Sequence, residues 1–598
     1  GDVYKRQPTT AAGANGDTWV YQNSVRDNSY ALNVFANYEL TVAKDHHFNF
    51  MIGANAEEGE YQNHWSQRKG LLDDKLPEFN LATGDQTVGG THNEWGTAGW
   101  FGRINYDYNG IWLLELNGRY DGSSKFPSSD RWAFFPSGSV GYRISEEKFF
   151  GPIKKVVSNT KIRASYGEIG NQAVGSNMYI STVSKRTDGN THWLNGSNKV
   201  VAYDLPSLVS PTLKWERIQT LDIGGDFGFF NNELNISFDW YQRTTKDMLA
   251  PGQTMPDVLG AGAPKINAGT LRTRGWELSI DWRHHFNEVN VYANASIGDF
   301  KTVITKWDND SQLLNENYSG KVYGDIWGFE TDRYFTKDDF NADGSYKEGI
   351  ASQKKLEQDG FVYGPGDIKF KDLNNDKEIN GGEGTVKDHG DLKVIGNTTP
   401  RYQYGFRLGG EWKGIDIDMF FQGVGKCDAW TQSAFVMPMM RGADAIYANQ
   451  ANYWTDENPD PNADFPRMWP GNAGKGTVSV LDLGNHNFYP QSKYLVNMAY
   501  LRFKNLTIGY TLPKDWTRKV YMDKVRVYFS ANNICELINK SNAPVDPEVN
   551  TSEAIANGGS SDYGNGTWGR VDPMYRTVSF GLQAVSYTHL RAHETPEH

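Results

Sequence analysis

Apolar and polar residues alternate one by one over long stretches of this chain, the pattern of extended strands that show a different medium to each face. In 32–40, Leu32, Val34, Ala36, Tyr38 and Leu40 share one face, and Asn33, Asn37 and Glu39 share the other. Phe48, Phe50, Ile52 and Ala54 repeat this against Asn49, Gly53 and Asn55. Leu234, Ile236, Phe238 and Trp240 do so against Asn235, Ser237 and Asp239, and the pattern returns in 289–297, 415–421, 525–531 and 578–582. A soluble sandwich or propeller also alternates, so length has to decide. Many of these segments run on the order of 10–13 residues, against roughly 5–6 for soluble strands and 9–11 for tilted membrane strands. In 112–120 the apolar face reads Trp112, Leu114, Leu116, Gly118, Tyr120, with an aromatic ring at each end. Eight steps of about 3.3 Å span roughly 26 Å, the height of a barrel's apolar band between its aromatic girdles.

The connections sharpen the choice. Residues 45–47, 109–110, 231–232, 285–288 and 413–414 read as tight turns, and those after 145 and 512 stay compact. Between them lie long connections, about 56–94, 121–131, 168–213, 245–268, 300–399, 425–496 and 535–573. Short turns on one rim and long loops on the other describe an outer-membrane barrel. About sixteen strands follow from this spacing, and no repeat of roughly 20–50 residues points to a propeller or solenoid. The fold class expected is all-β, an antiparallel transmembrane β-barrel.

Composition agrees. Phe, Tyr and Trp number 30, 32 and 19, so the chain has apolar area to bury or set against lipid. A net charge of −12 argues against a nucleic-acid partner. No apolar run reaches the roughly 18 residues of a membrane helix, which leaves barrels untouched. Cys427 and Cys535 stand alone, with no zinc spacing and no disulfide framework. The ends share no period with their neighbours. GDVYKRQ at the start and VSYTHLRAHETPEH at the finish resemble translated sequencing-adapter fragments. Residues 1–7 and 585–598 are therefore set aside as artefact, with 8–584 as the barrel.

Several segments resemble the SusC/RagA family of TonB-dependent transporters from Bacteroidetes: YDGSSKF and RWAFFPSGSVGYRISEEKFF in 120–150, KIRASYGEIGNQ in 161–172, and the run 213–249. NAGTLRTRGWELSIDW (267–282), GDIKFKDLNNDKEIN (366–380), the run 394–425 and YLRFKNLTIGYTLP (500–513) continue the likeness in family order. The resemblance implies a barrel of roughly 22 strands around an N-terminal plug, of which this chain would be the C-terminal part, without plug or TonB box. It implies outer-membrane location and TonB-coupled import of a bulky nutrient, an oligosaccharide sooner than a peptide. A SusD-like surface lipoprotein would be the partner, and lipid would cover the wall. The alternative from another class is a secreted calcium-binding β-rich carbohydrate-active enzyme or lectin, and a porin without energy coupling is a third.

Candidate chemistry is sparse. Asp372, Asn374, Asp376, Glu378, Asn380 and Glu383 stand at positions 1, 3, 5, 7, 9 and 12 of an EF-hand-like loop, an oxygen set suited to Ca²⁺. Lys377 occupies the place of the glycine at position 6, and the flanks read as strand and loop, so a solvated acidic turn is the other reading. Asp339, Asp343 and Gly344 are a shorter echo that reads as a turn. His46–His47 and His284–His285 fall at short turns, and His589, His593 and His598 lie in the terminal artefact. Trp65, Trp193, Trp327, Trp454 and Trp469 in the long loops suit either stacking on sugars or packing of a loop on itself. No nucleophile elbow, P-loop or dinucleotide fingerprint is present, and no catalytic residue is assigned.

Overall fold

A computed structural model of the chain describes residues 2–6, 19–73, 76–186, 194–195, 198–199, 202–210, 213–252, 258, 260, 262–357, 361–431, 433, 436–438, 446–469, 486–549 and 572–586. Among the described residues, sixteen strands make one large sheet whose strand order follows their order along the chain. They are Asp2–Arg6, Trp19–Val42, His46–Lys69, Gln86–Tyr108, Trp112–Ser123, Trp132–Arg143, Val157–Asn171, Glu216–Phe229, Leu234–Pro251, Lys265–Phe286, Val289–Lys306, Arg401–Trp412, Ile415–Lys426, Tyr500–Thr511, Met522–Asn539 and Thr577–Ser586. No described helix is long and apolar enough to cross a membrane, which says nothing against strands. The chain divides into two compact units, residues 1–143, 163–222 and 243–271 in one, and 144–162, 223–242 and 272–598 in the other.

In the first unit the turn at 43–45 joins Val42 to His46, with Ala43 and Lys44 at positive φ. Asn109 and Gly110, both at positive φ, make the next hairpin turn, and Asp107 Oδ1 accepts the Gly110 N–H at 2.8 Å. Register places His46 opposite Tyr108, Tyr108 opposite Trp112, and Trp112 opposite Tyr142. The Trp112 and Tyr142 rings stack at 4.1 Å. Eight residues along, Trp100 pairs with Tyr120, whose ring stacks on Trp132 at 5.2 Å. Two aromatic levels therefore bracket the exposed Leu116, at the spacing expected from 112–120.

The strands outrun that band. Trp19–Val42 and His46–Lys69 have 24 residues each and Gln86–Tyr108 has 23, paired without a register shift. The connection expected at about 56–94 is therefore only 70–85. Alternation is silent here because AEEGEYQNHWSQRK is polar on both faces above the band, while backbone hydrogen bonding needs no apolar face to continue. Asp2–Arg6, set aside in the sequence, pairs with Trp19–Asn23. An open edge accepts any extended segment, so this pairing does not bear on the origin of residues 1–7. At the other end the last strand runs to Ser586, two residues beyond the barrel end set at 584, and 587–598 with its three histidines lies outside the described residues.

In the second unit the short connections share one end. Val289 pairs with Trp412, Trp412 with Ile415, Ile415 with Tyr510, and Thr511 with Arg526. The turn at Asn231 and Asn232 joins this end, since Arg283 N–H donates to the Glu233 carbonyl at 2.8 Å beside the 287–288 turn. The connections 307–400, 427–499 and 540–576 leave from the opposite end, as the alternation of short and long requires. They also contain the unit's buried apolar core: Phe335, Phe361, Phe370, Ile368, Met437, Phe488 and Val496 are buried there among Tyr334, Tyr494 and Trp454. On the strands of this unit Phe238, Leu408, Ile417, Ile508 and Val527 stay exposed.

Candidate functional site

The wall strands of the second unit sort their side chains by chemistry. Phe421 lies between Phe406 and Phe503, with ring centroids 4.6 and 4.5 Å away, and Phe529 meets Phe580 at 5.3 Å. Phe238, Ile417 and Val527 are exposed on that same apolar face. Asp416, Asp418, Tyr528 and Asn505 hold the other face, where a hollow of about 790 Å³ is bordered by Asp226, Asn235, Asp281, Asn294, Arg407 and Asp418. Aromatic rings on the polar face lie down over cross-strand glycines. Tyr292 covers Gly409, and Tyr528 covers Gly581, where an added Cβ would fall 2.3 and 2.2 Å from ring atoms. That posture lets the Tyr292 hydroxyl donate to Asp418, which also accepts Arg407 Nε at 2.6 Å.

A sharp contrast follows. Phe421→Lys is expected to cost about 2–4 kcal/mol in a lipid-facing wall, with little change for Gln403→Lys on the polar face. Refolding into lipid vesicles, read by heat-dependent electrophoretic mobility, measures both; equal costs would mean that Phe421 does not face lipid. Asp418 on the same polar face is not a tolerant position, because it is the shared acceptor of Tyr292 and Arg407.

Above the wall, one carboxylate organises the long connections. Asp367 is fully buried and accepts Gly364 N–H at 2.9 Å, Trp469 Nε1 at 2.8 Å, Asn487 Nδ2 at 2.8 Å, and Arg467 through Nε at 3.3 Å and through Nη2. Burial pushes its carboxyl above the ordinary range, against the pull of Arg467, Asn487 and Trp469. Gln353 and Gln491, also fully buried, close main-chain gaps: Gln353 accepts Phe370 N–H at 2.6 Å, and Gln491 donates to the Asn487 carbonyl at 2.7 Å. A second hub ties connection to wall. Arg502 meets Asp546 at 2.7 Å and Glu548 at 2.8 Å and is also paired with Glu536, while Lys504 meets Glu548 at 2.6 Å.

Most of the loop tryptophans serve packing. Trp454 is buried, Trp469 lies against Phe361 at 4.6 Å and under Arg467 at 4.4 Å, and Trp327 donates to the Tyr318 hydroxyl at 3.1 Å. Trp65 stacks on Tyr21 at 5.9 Å, and Trp193 lies outside the described residues. A pocket of about 510 Å³ opens between the connections instead, with Phe465 and Tyr494 stacked at 5.9 Å and with Asn449, Asp464, Lys493 and Asn542 around them. Lys493 Nζ sits 4.9 Å over the Tyr334 ring, and burial pulls its ammonium below the usual lysine value.

The 372–383 loop is a series of side-chain turns. Asp372 Oδ2 accepts Lys377 N–H at 2.9 Å, Asn374 Oδ1 accepts Asp376 N–H at 3.0 Å, and Asp376 Oδ1 accepts Glu378 N–H at 2.7 Å. Asn380 Oδ1 accepts Gly382 N–H at 2.8 Å, and Glu378 pairs with Lys355 at 2.7 Å. Buried Asp391 anchors the loop by accepting Leu373 and Asn380 N–H at 2.7 and 2.9 Å. Asp372 Oδ1 is buried without a hydrogen-bond partner. Lys377 takes positive φ at the position where the motif has glycine. The shorter echo is a turn: Asp343 Oδ1 accepts Ser345 N–H at 2.9 Å, and Asp339 is forked by Arg333 at 2.7 Å to each oxygen. His46 contacts the Tyr106 hydroxyl at 2.9 Å, and His284 contacts Glu233 at 2.6 Å, both beside short turns. Cys427 and Cys535 are not bonded to each other.

Among the described residues, the set of three His or carboxylate ligands whose donor atoms gather within 4.8 Å is Glu60, His92 and Glu94. Sequence reading missed it, because ligands on two strands 32 residues apart leave no local spacing to recognise. Asp367 and Arg502 were missed for the same reason.

Comparison with known proteins gives consistent matches. A family model described as TonB dependent receptor-like, beta-barrel, matches residues 2–534. TonB-dependent receptor P3 of Formosa agariphila is 27% identical over 612 aligned residues, covering 97% of this chain and 54% of that protein. TonB-dependent receptor SusC of Bacteroides thetaiotaomicron is 25% identical, covering 90% of this chain and 49% of its own length. Among solved structures, that of the RagAB peptide transporter superposes with a TM-score of 0.70 at 21% identity, over 90% of this chain and 55% of the other. The chain spans about half the length of the curated relatives it matches.

Proposed function

The chain belongs to the TonB-dependent receptor-like β-barrel family of the outer membrane, and on that premise we propose that it is barrel wall and outer loops of a TonB-coupled importer of bulky oligosaccharides. The observation that carries the transport reading is the division of the wall into an outward apolar face and a polar face of paired charges, crowned by long connections with a core of their own. A wall with lipid on one side and polar cargo on the other needs that division, and a secreted enzyme or lectin does not. The cargo class is supported by the pocket among the connections. Phe465, stacked on the buried Tyr494, offers a ring face to the C–H surface of a sugar, while Asn449, Asp464, Lys493 and Asn542 reach its hydroxyls. Partners are TonB and a surface lipoprotein of the SusD kind, in keeping with SusC among the relatives. No catalytic role is proposed, since the matched relatives are receptors by name.

The test is uptake by the native host. Disrupting the gene should abolish import of a labelled oligosaccharide, and collapsing the proton gradient in the intact strain should do the same. Uptake that survives collapse of the gradient would mean a porin. Loss of peptide import alone would overturn the cargo class.

We also propose that the 372–383 loop takes a calcium ion, supported by the partnerless, buried Asp372 Oδ1. Calcium is expected to protect the loop from protease, and Asp372→Ala to remove that protection. Equal cleavage of the unaltered chain with calcium and with chelator would rule the site out.

A further inference from the structure

We propose that Glu60, His92 and Glu94 bind a divalent transition-metal ion of the zinc type on the outward face of the first unit's long strands. His92 Nε2 lies 3.4 Å from Glu60 Oε1 and 3.2 Å from Glu94 Oε1, and the three donor atoms lie within 4.8 Å of one another. Ligands held roughly 2.0–2.2 Å from a tetrahedral zinc are separated by about 3.3 Å, so two of the three edges already have the right length. The third is no longer than 4.8 Å.

Register explains both why the ligands meet and why they call for a cation. Glu60 is directly opposite Glu94, and His92 is opposite Gln62, one diagonal step away on the same face. Like charges directly opposed across two strands repel, and the structure gathers an imidazole nitrogen onto the pair, with no lysine or arginine paired to either carboxylate among the described residues. Asn28, on the third strand opposite Glu60, donates Nδ2 to Glu60 Oε2 at 3.2 Å and so leaves Oε1 aimed at His92. That is the outer hydrogen bond that orients a metal-binding carboxylate. An imidazole with two carboxylates selects zinc-type ions over calcium or magnesium, which prefer all-oxygen sets.

The position is accessible. Glu60 shares its face with the exposed Ile52, and His92 and Glu94 share theirs with the exposed Trp100, along strands paired without a shift. Trp100 pairs with Ala54, and six residues on to Glu60 is about 20 Å beyond the aromatic level, on the side of the long connections. Three protein ligands leave the fourth position of a tetrahedral ion open to water or to a donor brought by another molecule.

The full chain in detergent, stripped with chelator, should take up one zinc ion per chain in calorimetric titration, at micromolar free metal. His92→Ala and Glu94→Gln should each weaken binding at least tenfold, and Asn28→Ala less. In the unaltered chain, zinc should shield His92 from acylation by diethyl pyrocarbonate, a readout that needs no variant. Absence of saturable uptake would overturn the site. So would uptake that both ligand variants leave unchanged, or acylation of His92 at the same rate with and without zinc.

Discussion

Arg502→Leu is expected to destabilise the junction between the wall and the 540–576 connection by about 3–5 kcal/mol, the range for removing one side of a buried ion cluster. The Arg502 side chain is 4% exposed, and its partners Asp546 and Glu548 are 5% and 14% exposed. Without the guanidinium, three carboxylates would face one another, with Lys504 paired to Glu548 among the described residues. In the unaltered protein, burial opposes ionisation of Asp546, but Met574 N–H, Arg502 and Glu548 N–H together hold its carboxyl below the ordinary range. The variant removes one of these stabilising partners from Asp546 and leaves the burial that opposes its ionisation. Its deficit should therefore be full at neutral pH and shrink as pH falls toward about 4, where protonation relieves the repulsion. Hydrogen exchange in 540–549 across that pH range measures it. A deficit independent of pH would mean that packing around the arginine, and not its charge, holds the junction.

What the sequence disclosed and what it hid follow from the range of the interactions. A lipid-facing strand must present apolar residues at every second position, so Ile415, Ile417, Met419 and Phe421 declared their face without help from any other part of the chain. Above the band that constraint lifts, and the continuation of His46–Lys69 past residue 56 became invisible although its hydrogen bonding is unbroken. The polar hubs were hidden for another reason. Asp418 and Tyr292 are 126 residues apart, and Asp367 and Arg467 are 100 apart, so each looks like an ordinary surface residue until topology joins them. Local chemistry did carry the 372–383 turn series, because Asx side chains bond to main chain two to five residues on.

The second large effect is expected from Arg467→Ala, which should loosen the core of the long connections by about 3–5 kcal/mol while leaving the wall intact. Asp367 is fully buried and cannot reach water once its arginine is gone, so the loss is that of an uncompensated charge. Trp469, Asn487 and Gly364 would still donate to it, which places the effect below that of an isolated buried ion. Arg467→Lys should recover only part, because one ammonium cannot reproduce the two-pronged contact through Nε and Nη2. Replacing both partners at once, Asp367→Leu with Arg467→Met, should recover more than the lysine, since buried ion pairs exchanged for apolar groups of similar size often cost little. Limited proteolysis reports the connections, and resistance of the folded band to dodecyl sulfate reports the wall. Arg467→Ala should open cleavage sites in 361–370 and 486–498, which Asn487 joins by donating Nδ2 to Asp367 Oδ1 and accepting Ile368 N–H, each at 2.8 Å. If cleavage and detergent resistance change together, the connections and the wall unfold as one cooperative unit, and the independence of the loop core would have to be abandoned.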